Sequence, residues 1–219
     1  MNEQGSKRID SNTATVVLVH GLWLHGIALM AQRHWLTHQG FYVRIFSYPS
    51  VRRSLNANGR ALSSYISKIP GETINLVGHS LGGLVILNML AQTPDPRIRR
   101  VVLLGSPCGG SHCASVLLRK PGLSTIVGRS LRDALMQNHW KIPADVEIGV
   151  LAGNRSVGLG RLIPGLPSPN DGTVSVKETR FSASRDSIVL PVSHSEMLVS
   201  KSCVRQVASF LENGRFIHG

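Results

Sequence analysis

Residues 73–92 read TINLVGHSLGGLVILNMLAQ, and this stretch decides the fold. An apolar run up to Val77 is followed by the motif G-H-S-L-G at positions 78–82, after which apolar residues recur at helical spacing. The pattern predicts a strand, a sharp turn and a helix, with Ser80 at the apex of the turn. In this context G-x-S-x-G is a nucleophile elbow, which exposes a serine hydroxyl above a sheet. Glycine suits Gly78 and Gly82 because a Cβ there would clash where strand and helix approach each other.

The rest of the chain repeats this alternation of strand and helix. Besides the strand before Gly78, buried apolar runs predict strands at 14–19, 41–48, 98–104, 146–152 and 186–190. Helical spacing predicts helices at 27–36, 55–69 and 200–211. Alternating strands and helices favour an α/β fold, with a mostly parallel sheet of about six strands and helices on both faces. The rhythm breaks at 108–142, where the sequence predicts a helical insertion with pieces at 111–118 and 130–140 around a turn at Pro121-Gly122.

Length and composition favour one globular domain over residues 1–219. The chain is 42% hydrophobic, and it contains neither a signal peptide pattern nor an apolar segment long enough to span a membrane. We therefore expect a cytoplasmic protein with a polar, loose segment at 1–13. The three cysteines do not indicate a disulfide framework, and the spacing of Cys108, His112 and Cys113 matches no common zinc site.

The chain is strongly basic, with a formal net charge of +12. Its arginines and lysines are scattered, and no nucleic-acid-binding motif accompanies them, so we expect no nucleic-acid partner. Two interpretations stay open: a solvated basic face, or attraction to an anionic membrane surface.

A serine hydroxyl needs a base to act as a nucleophile, and the base needs a carboxylate to orient it. In enzymes built on this elbow the acid and then the base follow the serine along the chain. Only His194 and His218 follow Ser80 with room for an acid and a strand between. His218 is the penultimate residue, where chains usually fray. His194 lies just after the last predicted strand, at the sheet edge where parallel sheets carry their sites, and we predict that it is the base.

Asp171 is the predicted acid. It follows the strand at 146–152, in an Asn-Asp-Gly turn that can hold a carboxylate in place. Glu178 is the reserve candidate. The other acidic residues lie at strand starts, in the insertion or at the opposite end of the sheet: Asp95, Asp133, Asp145, Glu147 and Asp186.

Two backbone amides are predicted to stabilise the oxyanion that forms when Ser80 attacks a carbonyl. One is the N–H of Leu81, at the positive end of the elbow helix. The other is the N–H of Leu22, in the turn after the first strand, with Trp23 as its neighbour. We expect His20 to brace this turn and to take no part in the chemistry.

Together these segments resemble compact lipases and esterases of the α/β-hydrolase fold. The matching pieces are His20-Gly21, residues 78–83, Gly105-Ser106-Pro107, residues 170–173 and the loop around His194. The resemblance covers most of the chain. It implies a triad of Ser80, Asp171 and His194, oxyanion donors at Leu22 and Leu81, and no metal or organic cofactor. Cys108 departs from the pattern, because family lipases often have a histidine there, and it puts a close lipase assignment in doubt.

The resemblance implies a serine hydrolase that cleaves a small-molecule or lipid ester through an acyl-enzyme. A thioesterase or acyltransferase with the same triad is an alternative, and a non-catalytic binding protein of the same fold is another. In related enzymes the region at 108–142 forms a small lid or acyl pocket. A pair of packing helices is the other interpretation of this insertion.

Overall fold

A parallel sheet runs through the centre of the protein, which the computed structural model describes over residues 14–120, 124–137, 140–158 and 163–219. Within these ranges the sheet has six strands in the order β2-β1-β3-β4-β5-β6. Each neighbouring pair is parallel, so the strands all end at one edge. The predicted sheet is confirmed. Its strands are Thr15–Val19 (β1), Tyr42–Phe46 (β2), Ile74–His79 (β3), Ile98–Leu104 (β4), Glu147–Gly153 (β5) and Asp186–Leu190 (β6).

Helices cover both faces of this sheet, as predicted. On one face α2, α3 and α5 pack together, and on the other α1 packs against α7. No helix in the described ranges has the length and hydrophobicity needed to cross a bilayer. The α-helices of these ranges are Met30–His38 (α1), Leu55–Ile66 (α2), Leu81–Gln92 (α3), His112–Arg119 (α4), Ser124–Leu135 (α5), Val176–Thr179 (α6) and Lys201–Asn213 (α7).

The first strand contributes side chains to both apolar layers of the core. Val17 and Val19 pack with the helices on one face, while Val16 and Leu18 pack with those on the other. Successive side chains of a strand point to opposite faces, so an uninterrupted apolar run is needed where both faces are covered. All five residues of β1 are buried, as the run at 14–19 predicted.

Several helix ends differ from the prediction, and the last helix, for example, runs to Asn213 where 211 was predicted. The helix after β1 begins as a 3₁₀ turn, Gly26–Leu29, before α1 starts. The next helix, α2, stops at Ile66, short of the predicted position 69. Pro70 accounts for the early stop, because a proline disfavours helical conformation in the residue before it.

The insertion is helical, but its second helix was misplaced. The first piece, α4, begins after Ser111, whose side chain accepts a hydrogen bond from the Ala114 amide as an N-cap. The predicted second helix at 130–140 is wrong at both ends: α5 starts at Ser124 and ends at Leu135. It is broken at Gly128, whose φ of 70° lies in the left-handed region. The predicted turn at 121–122 and the predicted loose segment at 1–13 lie outside the described residues, and a single domain over 1–219 stays a prediction.

Candidate active site

Ser80 lies at the sharp turn between β3 and α3. Its φ of 54° and ψ of −122° are unusual for a residue with a side chain. Two backbone hydrogen bonds hold the turn, from Ser80 N to the Leu104 carbonyl at 2.8 Å and from Gly83 N to the Ser80 carbonyl at 3.1 Å. The strained backbone is therefore fixed by the neighbouring strand and by the helix that follows.

Glycines make room for this turn. A Cβ on Gly78 would overlap the backbone of Gly83, and one on Gly82 would overlap the carbonyl oxygen of Val19. A Cβ on Gly83 would meet the side chain of Ser106. The predicted clashes at Gly78 and Gly82 are confirmed, because strand, turn and helix touch through their backbones.

Asp171 and His194 form a hydrogen-bonded pair at the same edge of the sheet. Asp171 Oδ2 lies 2.7 Å from Nδ1 of His194. The other carboxylate oxygen accepts hydrogen bonds from the amides of Thr173 (2.9 Å) and Val174 (2.7 Å), and the Asp171 side chain is buried. The His194 amide donates to the Asp171 carbonyl at 2.8 Å. A carboxylate accepts, so Nδ1 carries the proton and Nε2 of His194 is free to accept one.

Ser80 and His194 line one cavity of about 330 Å³. Within the described residues no direct hydrogen bond joins the serine hydroxyl to the imidazole. In ligand-free enzymes such bonds are often long and tighten when substrate binds. No charged side chain lines the cavity in the described part of the chain. Its apolar walls come from the first loop, the insertion and the segment before α6: Leu22, Trp23, Pro107, Leu117, Ile126, Val127, Leu131, Ile163 and Val174.

Of the two predicted oxyanion donors, one follows Ser80 directly and the other lies in the same cavity wall. Leu81 is the first residue of α3, where amides have no partner within the helix. Leu22 lines the cavity. Among the described residues neither the Leu81 amide nor the Leu22 amide donates a hydrogen bond to protein, so both are available to a ligand oxygen.

His20 braces the first loop, as predicted. The Tyr48 amide donates to Nε2 of the His20 ring at 3.2 Å, and Nδ1 donates to the Gly21 carbonyl at 2.9 Å. The Tyr48 hydroxyl donates to the His20 carbonyl at 2.9 Å, and the two rings stack. Burial lowers the pKa of His20, which keeps the ring neutral.

His79 is a functional candidate that the sequence analysis missed. Its ring is buried, and Nε2 donates to the carbonyl oxygen of His194 at 3.0 Å. The rings of His79 and His194 lie 4.7 Å apart. Nδ1 of His79 has no partner among the described residues. Burial, and then the nearby charge of His194, lower the pKa of His79 to about 3. The motif gave no hint of this, since any residue is allowed between Gly78 and Ser80.

Glu178, the reserve acid, does not reach His194. It forms a capping box with Ser175, whose amide and hydroxyl both donate to Oε2. Its other oxygen accepts from the amide of His112, at the start of α4. Glu178 therefore ties α6 to the insertion.

The two cysteines near His112 line different cavities. Cys113 is buried and lines the cavity at Ser80, whereas Cys108 lines a different cavity of about 810 Å³ with Trp140 and Phe181. Burial raises the pKa of Cys108 to about 12, so this thiol stays protonated. The described residues contain no cluster of three or more histidine, cysteine, aspartate or glutamate side chains that could hold a metal.

Comparison with known proteins agrees with this architecture. A protein-family sequence model described as "Alpha/beta hydrolase family" matches residues 16–192. The phospholipase YtpA of Bacillus subtilis (strain 168) is 29% identical over 115 residues. That stretch is 47% of this chain and 44% of the relative, so the match spans less than half of the relative's length.

Solved structures share the fold over almost the whole chain. The mature form of the lipase BlEst2 from Bacillus licheniformis has a TM-score of 0.75 and 18% identity, with 94% of each chain covered. The carboxylesterase CesB of Bacillus subtilis has a TM-score of 0.57 and 15% identity, over 92% of this chain and 85% of that one. At these identities the likeness establishes the fold.

Proposed function

Because the chain belongs to the alpha/beta hydrolase family, we propose that it is a serine hydrolase that cleaves carboxylic esters. The proposal rests on the arrangement of three side chains at the carboxyl ends of the strands. A buried carboxylate, Asp171, orients the imidazole of His194, which lines one cavity with the strained Ser80. The names of the relatives (phospholipase, lipase and carboxylesterase) support ester substrates.

In the proposed mechanism the Ser80 hydroxyl attacks the ester carbonyl carbon. Nε2 of His194 accepts the hydroxyl proton and then gives it to the leaving alcohol, which produces an acyl-enzyme. A water molecule that His194 deprotonates cleaves this intermediate and releases the acid. Asp171 fixes the imidazole tautomer and stabilises the imidazolium through its 2.7 Å contact.

The amides of Leu22 and Leu81 are proposed to bind the oxyanion of each tetrahedral intermediate. Both are free of protein acceptors in the described ranges, and Leu81 lies at the positive end of α3. Loss of one such donor typically lowers kcat by about 10²–10³-fold.

The cavity favours a neutral, apolar acyl group. Its described lining contains no lysine, arginine, aspartate or glutamate that would pair with a charged substrate. Contact with an anionic lipid surface is a further part of the proposal, supported by the net charge of +12 and by Trp23 and Ile126, which are exposed at the cavity. The basic surface would also suit a phosphate-bearing acyl carrier, which keeps thioester cleavage or acyl transfer as the second candidate.

The test pairs Ser80→Ala with the control Ser195→Ala, which removes an exposed hydroxyl next to His194. Wild type and the control should react with a fluorophosphonate probe and hydrolyse nitrophenyl esters, whereas folded Ser80→Ala should do neither. Labelling of folded Ser80→Ala would exclude Ser80 as the nucleophile. Rates on matched oxygen esters and thioesters, and with an added alcohol acceptor, separate the esterase from its alternatives.

A further inference from the structure

A second apolar cavity lies behind one wall of the cavity at Ser80. It measures about 490 Å³, and Trp23 lines both cavities. The remaining lining of the second cavity comes from the loops after β1 and β2. It is mainly apolar, with three polar members at the end of this list: Leu24, Tyr48, Pro49, Val51, His25, Ser50 and Arg52. A single side chain thus contributes to two apolar spaces that together are much larger than the one beside the nucleophile.

Trp23 is held in an unusual position. Its φ of 61° lies in the left-handed region, where a bulky side chain is an outlier. The side chain is 58% exposed, yet its indole N–H donates to the carbonyl oxygen of Ile126 at 2.9 Å. Ile126 lies in the first half of α5, before the break at Gly128. The indole therefore joins the loop after β1 to the insertion, and surrounding contacts keep a strained residue in place.

The strand order indicates which half of an ester meets this wall. Ser80 follows β3, while Trp23 follows β1 on one side of it and His194 follows β6 on the other. His194 must lie next to the leaving alcohol in order to protonate it. The acyl chain then extends away from His194, toward the end of β1 and Trp23.

We propose that Trp23 determines acyl-chain length by closing the acyl side of the cavity at Ser80. This inference rests on the proposed function. At roughly 30 Å³ per methylene, close to the liquid volume of a water molecule, the closed cavity holds an acyl chain of about ten carbons. The space behind the indole is lined mainly by apolar side chains and is suited to the remainder of a longer chain. Wild type therefore prefers short and medium neutral acyl chains, and loss of the indole admits longer ones.

The experiment measures kcat/KM on nitrophenyl butyrate, octanoate and tetradecanoate for wild type, Trp23→Ala and Trp23→Phe. Trp35→Ala is the matched control, because Trp35 lies on α1 and lines neither cavity. Trp23→Ala should raise the tetradecanoate-to-butyrate ratio at least tenfold, since each newly buried methylene is worth about fourfold. Trp23→Phe keeps one aromatic ring but loses the pyrrole ring with its N–H, so its ratio should lie between the two. The control should keep the wild-type ratio.

Using the ratio removes any loss common to all esters, such as a small shift of the Leu22 amide. If Trp23→Ala does not fold, Trp23→Gly replaces it, because glycine adopts a positive φ without strain. An unchanged ratio in either folded variant would overturn the inference.

A binding arm separates this inference from the proposed function. In the Ser80→Ala background, calorimetry measures the dissociation constants of the butyrate and tetradecanoate esters with and without Trp23→Ala. The inference predicts at least tenfold tighter binding of the long ester only, whether or not the protein turns esters over. No change in this binding would refute the role of Trp23. Undiminished turnover in Ser80→Ala would instead refute the proposed nucleophile, and it would not contradict the role of Trp23 in chain-length selection.

Discussion

The elbow and the insertion keep their shapes by different means. At the elbow, glycines let backbone approach backbone, and the contacts join the turn and the start of α3 to the strands β1 and β4 on either side of β3. The insertion is held by single hydrogen bonds to distant segments, such as the bond from the Trp23 indole to the Ile126 carbonyl, 103 residues apart. The turn and its neighbouring strands thus position Ser80, whereas long-range pairs shape the cavity beside it.

The segment after Gly128 shows how hydrogen bonds to distant residues hold the insertion. The Arg129 amide donates to the Val51 carbonyl, and the Asp133 carboxylate accepts from the amide of Leu55, at the start of α2. Ser130 accepts from the side chain of Asn58. These bonds involve none of Ser80, Asp171 and His194, so we expect substitutions there to change substrate preference before they abolish the proposed chemistry.

The largest expected effect is at the strand ends. Asp171→Asn keeps the side-chain shape but removes the charge that orients His194, so kcat should fall by about 10³–10⁴-fold with little change in stability. Steady-state kinetics on nitrophenyl butyrate measure it. Glu178→Gln is the control: it should weaken the capping box and leave kcat within a few-fold. Equal losses in the two variants would contradict the assignment of Asp171.

Gly82→Ala should have the next largest effect. The new Cβ would overlap the Val19 carbonyl oxygen, and backbone has little room to relax. We expect a loss of about 3–5 kcal/mol in the free energy of unfolding, or a melting temperature lower by about 10 °C. Gly109→Ala is the matched control, because its Cβ would find the nearest atom at an ordinary 3.4 Å. A Gly82→Ala protein as stable as this control would show that the elbow is less crowded than described.

The protein should become less stable in acid because of His79. Its pKa is about 3 in the folded protein and near 6.5 in an unfolded chain, so between these values the unfolded state binds more protons. The free energy of unfolding therefore falls as pH drops below about 6.5, by about 2 kcal/mol at pH 5 from this residue. Urea unfolding at pH 8 and pH 5 measures the change. His79→Gln, which can still donate to the His194 carbonyl, should lose about 2 kcal/mol less than wild type over that interval, and an identical loss would remove His79 as the cause.

The smallest effect is expected in the insertion. Ser130→Ala removes the acceptor for Asn58 and a donor to the Arg53 carbonyl, and both bonds are 2.8 Å long. Stability should fall by about 1–2 kcal/mol, since a buried donor is left without its partner. Ser209→Ala, whose hydroxyl bonds to an exposed carbonyl, should cost less. Chemical unfolding compares the two variants. A larger loss than in Gly82→Ala would reverse the contrast between the two regions.

Much of the strand-end architecture could be predicted because its signals are local. Ser80, Asp171 and His194 each follow a recognisable strand, and the structure brings all three to one sheet edge. The parts that escaped prediction depend on contacts between distant residues. Gly128 breaks α5 where it packs on Val51, and nothing near position 128 reveals that neighbour.

Two other features also lacked a sequence signal. The short α6 has four residues, too few for a helical pattern to repeat. His79 occupies the unrestricted position of its motif, and its role depends on a carbonyl at position 194.

The position of β6 has a consequence for the nascent chain. This strand lies at one edge of the sheet and is the last of the six described strands to be synthesised, and the imidazole at position 194 follows it. The serine turn, by contrast, is enclosed by strands made much earlier. A growing polypeptide thus carries the hydroxyl long before it acquires a proton acceptor, and a serine without one is a poor nucleophile. Under the proposed chemistry, hydrolytic competence is delayed until translation has passed position 194.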